Sequence, residues 1–415
     1  MKDNFFIPEL MAPAGSFESL HAAINAGCDS VYFGIADFNM RASSAVNFTF
    51  ENLPEVVELC TKKGIKTYIT VNTIMYNDDL NMMKKAVDAV KKAGATAVIC
   101  ADMATILYAK EKGVSVNIST QLSISNTQSL KFYSQYADVV VLARELTLEQ
   151  IKKICIDIKE QDIRGVNGEL IKVEIFAHGA LCVSVSGRCY MSLYSTNTSA
   201  NKGKCSQVCR HTFDVKDNQT GNKLTIDNNY VMSASDLCTI GMLDEIVESG
   251  VSILKFEGRG RSPEYVDTVI RTYKEALEAI KEDTYDEEKI EKWNKDLKTV
   301  FNRGLHEGFF RGKKFHEWSG VHGSKATEVK NEIGVVEKYY PKINVAQVLV
   351  KAKDTVKEGM KYSITGKTTG VVRGVFNNMK IDERDMKEVK QGDVVTFKIK
   401  EKVREGDMVY VLKKI

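Results

Sequence analysis

The chain has 415 residues, too many for one ordinary hydrophobic core and enough for two or three domains. Hydrophobic residues make up 43% and charged residues 27%, a globular balance that, with only five prolines, excludes a long disordered or proline-rich linker. The net charge of +3 excludes a polycation, but it is uneven: residues 331–415 carry 18 Lys/Arg against 12 Asp/Glu, which leaves the first 330 residues slightly acidic.

Residues 1–9 lack the apolar run of a signal peptide, and no stretch approaches the ~18 uncharged apolar residues that a membrane span needs. The expectation is a cytoplasmic protein with no membrane partner, whose nine cysteines stay reduced. Along the chain a helical segment repeatedly ends at Gly and a β-branched run follows, as at Gly27, Gly64, Gly94, Gly113 and Gly250. Eight strand-like runs result: 8–13, 30–35, 66–72, 96–102, 115–120, 138–145, 173–179 and 252–259. They are continuously apolar rather than alternating, the pattern of a parallel sheet covered on both faces. The helices between them are legible. Residues 79–93 place Leu80, Met83, Val87 and Val90 on one face. Thr147–Gln150 has the form of a capping box, and Ser262-Pro263-Glu264 opens another helix.

Eight such units predict an α/β (β/α)8 TIM-like barrel over residues 1–281, with function at the C-terminal strand ends. Polar residues there include Asn72, Asp102, Gln121, Arg144, Glu145, His178, Glu257 and Arg259. The regular spacing breaks once, at a cysteine-rich insertion of about 180–250. Residues 282–330 read as a helical connector, with a charged helix over Glu282–Thr299, and a closing segment. From 331 to 415 short alternating runs at Val345–Lys351, Lys361–Ile364, Thr369–Phe376, Val394–Ile399 and Met408–Leu412 predict a C-terminal all-β barrel domain. Its basic residues, Lys351, Lys353, Lys357, Lys361, Lys367 and Arg373, fit contacts to an RNA backbone or a solvated lysine-rich surface.

The strongest chemical signal is Cys182-x6-Cys189-x15-Cys205-x3-Cys209. Four thiolates close in sequence can hold a tetrahedral zinc or an iron–sulfur cluster, and the loose spacing suits a [4Fe–4S] cluster better than paired zinc knuckles. Cys238 is a rival fourth ligand. Cys28, Cys60, Cys100 and Cys155 lie on apolar segments and read as buried.

The run Glu174-Ile-Phe-Ala-His-Gly-Ala-Leu-Cys182, with Ser186-Gly-Arg-Cys-Tyr-Met-Ser192, resembles the signature of the U32 peptidase family, often labelled collagenase-like. Leu10–Gly15, Asp29–Gly34, Lys255–Arg259 and Arg303–Phe309 are similar to further segments of that family. The size and the C-terminal β domain most resemble the bacterial branch that forms 5-hydroxyuridine at the tRNA wobble position. Relatives hydroxylate 23S ribosomal RNA or a quinone ring. The resemblance implies cysteine ligands to a cluster, tRNA as substrate and prephenate as hydroxyl source, with an electron donor that the residues leave unspecified.

The peptidase label finds little in the residues. There is no G-x-S-x-G, and His306-Glu307 has Phe310 where a zinc protease needs its second histidine. Cys182 beside His178 is the remaining nucleophile–base pair. For a hydroxylase, Arg41, Arg144, Arg259 and Lys255 are candidates to bind a dicarboxylate. His178, Glu257 and Lys255 are candidate proton-transfer groups. Tyr190, with Tyr194 and Tyr32, is a candidate surface for a base extruded from the RNA. Three readings follow: a tRNA hydroxylase, a peptidase, and a non-catalytic RNA-binding factor with a structural cluster.

Overall fold

The computed structural model describes residues 6–35, 39–42, 47–221, 223–224, 232–312, 318–321 and 323–415. Eight parallel strands occupy the expected runs: β1 (Glu9–Pro13), β2 (Ser30–Gly34), β3 (Lys66–Val71), β4 (Ala97–Cys100), β5 (Val116–Ile118), β6 (Val139–Val141), β7 (Lys172–Gly179) and β8 (Ile253–Phe256). Each pairs with the next, β7 with β8 across the insertion in sequence, and β8 also pairs with β1, so the sheet closes into a barrel. The strands are apolar on both faces because one faces the barrel interior and the other a ring of helices; every residue of β2 and β6 is buried.

The helices are α1 (Phe17–Asn25), α2 (Leu53–Thr61), α3 (Leu80–Ala93), α4 (Met103–Glu111), α5 (Thr127–Ser134), α6 (Leu148–Glu160), α7 (Met191–Thr196), α8 (Leu243–Glu248), α9 (Pro263–Lys281) and α10 (Glu287–Thr299). Local chemistry sets their ends. On α3, Met83, Ala86, Val87 and Val90 are buried and Gly94 stops the helix in the left-handed conformation. Thr147 and Gln150 form the capping box of α6. The charged helix expected from Glu282 begins instead at Glu287. Asp283 takes a positive φ and Asp286 caps α10, because short carboxylates bond to nearby backbone and end helices. No described helix is long and apolar enough to cross a membrane.

The insertion between β7 and β8 contains α7, a two-stranded arm (Val215–Lys216 with Lys223–Leu224) and a strand, Asp236–Cys238, antiparallel to the end of β7. Residues 222 and 225–231 of it lie outside the described residues.

The C-terminal strands form one antiparallel sheet: β9 (Glu328–Tyr340), β10 (Val345–Val350), β11 (Lys361–Gly366), β12 (Gly370–Val375), β13 (Met379–Ile381), β14 (Arg384–Met386), β15 (Val394–Lys398) and β16 (Met408–Lys414). The spatial order is β12-β11-β16-β9-β10-β15-β13-β14. Only residues 376–378 join β12, at one edge, to β13 near the other, so the sheet is rolled upon itself. Tyr362, Phe376 and Phe397 fill it, with ring centroids 4.9–5.3 Å apart, in a core separate from that of the barrel. The longest strand, β9, has no counterpart among the five expected runs, because its first half is exposed and polar.

The sheet docks on α1 and the first turn of α9. Glu264 Oε1 accepts from Lys330 Nζ and Thr365 Oγ1, each at 2.8 Å, while Arg373 donates to the Glu264 carbonyl at 2.9 Å and to Thr268 Oγ1 at 2.7 Å.

Candidate functional site

The C-terminal ends of the barrel strands and the cysteine insertion enclose a cavity of about 230 Å³. Cys182, Cys189, Cys205 and Cys209 all line it, none of them in a disulfide. They lie near enough to act on one another: burial and then, after the opposing Arg210, the other three thiols raise the Cys209 pKa. The buried Ser192 steadies this segment. Its hydroxyl accepts from Ser206 N at 3.0 Å and lies 3.9 Å from Cys205 Sγ. Arg210 clasps the base of the insertion, donating to Leu181 O at 2.7 Å, to Ser233 Oγ at 3.1 Å and to Ala234 O. Lys202, bonded to Asp79 and to Ile74 O, ties the insertion to the loop after β3.

Cys238 is elsewhere. It is buried behind β7, 3.9 Å from the Tyr273 hydroxyl, and burial pushes its thiol up to about 11. Cys28, Cys60, Cys100 and Cys155 are buried in the barrel core, where loss of solvation raises each pKa.

The cavity has a strongly positive lining. Arg41, Arg144, Arg210, Arg259, Arg261, Arg303 and Lys255 line it, against one carboxylate among the described residues, Glu257. Glu257 follows β8, and Gly179 makes room for it: a Cβ there would stand 2.3 Å from the Glu257 carbonyl oxygen. Arg41 Nε donates to Glu257 Oε1 at 2.9 Å, and the Tyr32 hydroxyl lies 3.2 Å from Oε2. Burial alone would raise the Glu257 pKa, but Arg41, Arg259 and Arg144 outweigh it and hold the carboxyl at about 2. Arg259 donates to Asn39 Oδ1 at 2.8 Å and Thr70 Oγ1 at 3.0 Å, while its buried Nε has no partner. Arg144 donates to Ala180 O at 2.8 Å and stacks 3.6 Å from the Phe176 ring centroid, again with an unpartnered Nε. Lys255 lies deeper, paired with the buried Glu174 at 2.6 Å.

His178 does not line the cavity. Its ring packs between Tyr265 and Tyr273, and burial pulls its pKa down to about 3, leaving the imidazole neutral. The cause is a bulge in β7. Lys255 pairs with Phe176 and Phe256 with His178, so two β7 steps answer one on β8 and the histidine is turned away from Phe176's side. Tyr190 and Tyr194 are 64% and 89% exposed, on the outside of α7 rather than in the cavity; Tyr32 does line it. Asn72 and Gln121 line it as well, whereas Asp102 caps α4 and Glu145 is exposed. Sequence reasoning passed over Arg261 and Arg303. The first was signalled by the Gly258-Arg-Gly-Arg261 repeat, while Arg303 opens a family-like segment with nothing local to place it at the cavity.

A family model described as Peptidase family U32 matches residues 15–320. The chain is 47% identical over 402 residues to a protein named collagenase from Porphyromonas gingivalis, covering 97% of each chain. It is 34% identical over 329 residues to tRNA hydroxylation protein P1 of Bacillus subtilis, covering 77% of this chain and 75% of the relative. It is 33% identical over 279 residues to a 23S rRNA 5-hydroxycytidine synthase of Escherichia coli, covering 67% of this chain and 40% of that one.

Proposed function

The chain belongs to peptidase family U32, and from that premise we propose that it is an iron–sulfur-dependent RNA-modifying enzyme. Its substrate in this reading is the wobble uridine of tRNA, converted to 5-hydroxyuridine with prephenate as the hydroxyl source. One observation carries the reading: four thiols and seven cations share one cavity with a single carboxylate.

The donor set fits a cluster. Cys182, Cys189, Cys205 and Cys209 are four unpaired thiols on one wall. Four thiolates match the separate irons of a four-iron cluster; among the described residues no group of three or more His, Cys, Asp or Glu side chains is set to hold a metal ion. When bound, such a cluster supplies one-electron redox chemistry. The protein's own residues do the rest. Arg41, Arg144 and Arg259, which line the cavity, bind the carboxylates of the co-substrate. Glu257, ionised at neutral pH, keeps these guanidinium groups in place; it is a counter-ion rather than a general acid. Tyr32 and Phe176 give the cavity floor aromatic faces beside Lys255. The exposed Tyr190 and Tyr194, one turn apart on the outer side of α7, offer a stacking surface to bases around the anticodon.

The peptidase reading has less support. The cavity lining holds no histidine among the described residues to activate a nucleophile. The test is anaerobic purification with iron and sulfide analysis, and nucleoside analysis of tRNA from a deletion strain carrying the wild type or Cys205→Ser. The expected result is about four irons per chain and 5-hydroxyuridine with the wild type, both lost in the variant. An iron-free folded protein, or unchanged tRNA in the deletion strain, overturns the reading. Metal-independent cleavage of denatured collagen would replace it with the peptidase.

A further inference from the structure

Arg261 stands out among the cations of the cavity. Arg41 is paired with Glu257, Lys255 with Glu174 and Arg303 with Asp236, and the Arg144, Arg210 and Arg259 guanidinium groups donate hydrogen bonds. Arg261 lines the same cavity with no side-chain hydrogen bond or ion pair among the described residues. Its guanidinium lies 3.5 Å from the centroid of the Phe301 ring, and that of Arg303 lies 5.1 Å from the same ring. Burial, and next the repulsion of Arg303, pull the Arg261 pKa below the usual guanidinium range; Arg303 acts on Arg210 in the same sense. Three guanidinium groups thus share the neighbourhood of one carboxylate, Asp236. The N-terminus of the 19-residue helix α9, capped by Ser262, begins at the next residues and adds its positive end.

This group is distinct from the one around Glu257. Of the charges acting on Arg261, Arg303 and Asp236 weigh most and Glu257 least. The cations at the cavity therefore fall into two groups, one around Glu257 and one beside Phe301 and Asp236.

We propose that Arg261, backed by Arg303 and Arg210, is a phosphate-binding subsite that takes a backbone phosphodiester flanking the base that enters the cavity. The second half of the statement rests on the RNA-modifying reading. A base drawn out of its stack brings its own phosphates to the mouth of the pocket. A guanidinium held flat on an aromatic ring keeps its N–H edge free and loses little freedom when a phosphate arrives. Its charge, only partly offset by Asp236, which Arg303 already engages, favours an anion over water.

The test uses the full-length protein, wild type, Arg261→Ala and Arg261→Lys, with fold checked by thermal melting. An anticodon stem-loop RNA is titrated at several salt concentrations, and uridine 5′-monophosphate and uridine are titrated as small probes. Arg261→Ala is expected to weaken RNA binding several-fold at low salt and to lower the magnitude of the log K against log salt slope by about 0.7. It should also weaken the monophosphate while leaving uridine unchanged. Arg261→Lys should keep the salt slope and lose part of the affinity. An unchanged slope in Arg261→Ala, or equal losses for monophosphate and nucleoside, overturns the subsite. A loss confined to prephenate would move the site to the co-substrate and overturn it as well. Arg261-dependent binding of the monophosphate without RNA binding by the wild type would keep the phosphate subsite and overturn the RNA reading.

Discussion

The mouth of the barrel and the C-terminal sheet are both rich in Lys and Arg, and they hold that charge in different ways. In the sheet some of the basic residues find local partners: Lys361 with Glu328 at 2.9 Å, Lys413 with Asp354 at 2.8 Å, Lys380 with Asp385 at 3.4 Å. Lys330 and Arg373 spend their charge on Glu264 and its neighbours at the domain junction. At the mouth, seven cations line the cavity with Glu257 alone. The sheet has the positive net charge in the sequence and keeps lysines such as Lys351 and Lys353 in exposed positions, whereas the barrel, acidic as a segment, gathers its guanidinium groups around one cavity. Exposed pairs contribute about 0–1 kcal/mol each and are screened by salt, whereas charges in a partly dehydrated cavity keep most of their field. An anion site is found by asking which cations lack a counter-ion, and net charge does not answer that.

Removing the one carboxylate at the mouth should have the largest effect. The Glu257 pKa is about 2 in the folded chain against an ordinary 4.5. A carboxylate with a depressed folded pKa contributes stability above its unfolded value and loses it as pH falls through the folded one. The shift corresponds to about 3 kcal/mol at pH 7, falling to about 1 kcal/mol at pH 3. Glu257→Gln is expected to lower the urea midpoint strongly at pH 7, with a gap from wild type that narrows at pH 3. A gap independent of pH would mean that the carboxylate charge is not what balances Arg41, Arg144 and Arg259.

An intermediate effect is expected at the junction of the two regions. Gly370, at the start of β12, has φ +74°, and a Cβ there would meet Ala22 N at 2.8 Å and the carbonyl carbon of His21 at 2.9 Å. Gly370→Ala combines a left-handed backbone with a backbone clash and should cost about 1–3 kcal/mol. The damage should fall on the contact between α1 and β12, so limited proteolysis is expected to release the C-terminal sheet from an intact barrel. If the sheet contributes to RNA binding by being held beside the mouth, affinity should fall with it. Unchanged RNA affinity in a variant with a loosened sheet would confine the binding surface to the barrel.

The barrel was legible because its strands are covered on both faces and several of its helices, α1 to α4 and α8, stop at or just before a glycine, two signals that survive in sequence. The four cysteines of the spaced motif line one cavity, while Cys238 lies buried away from it. What the sequence hid is where local rules are broken. The bulge at the end of β7 turns His178 toward Tyr273, and no pattern in Phe176-Ala-His-Gly179 announces it. Lys255 reads as a free cation near the strand end, yet Glu174, two residues before Phe176 on the adjacent strand β7, claims it. Arg303 and Asp236 are 67 residues apart and meet only when the closing segment pairs with the strand of the insertion. β9 was missed because its exposed first half has no apolar alternation and is held by pairing with β16.

The smallest effect is expected from the residue that sequence reasoning would rank among the first for RNA binding. Lys361 sits in the basic run of the C-terminal sheet, half exposed, with its ammonium 2.9 Å from Glu328. Both partners lie on neighbouring parts of the sheet, so the pair is already neutral before any RNA arrives. A phosphate recruiting Lys361 must first displace Glu328, and the exchange releases little net charge. Lys361→Ala should change stability by less than about 1 kcal/mol and leave the salt slope of RNA binding where the wild type has it. Arg261→Ala, at a guanidinium without a partner, should lower that slope. Measured side by side on one RNA, the two variants separate charge that is merely present from charge that is available. A slope lowered equally by both would dissolve the distinction between the two regions and return the sheet's lysines to the RNA interface.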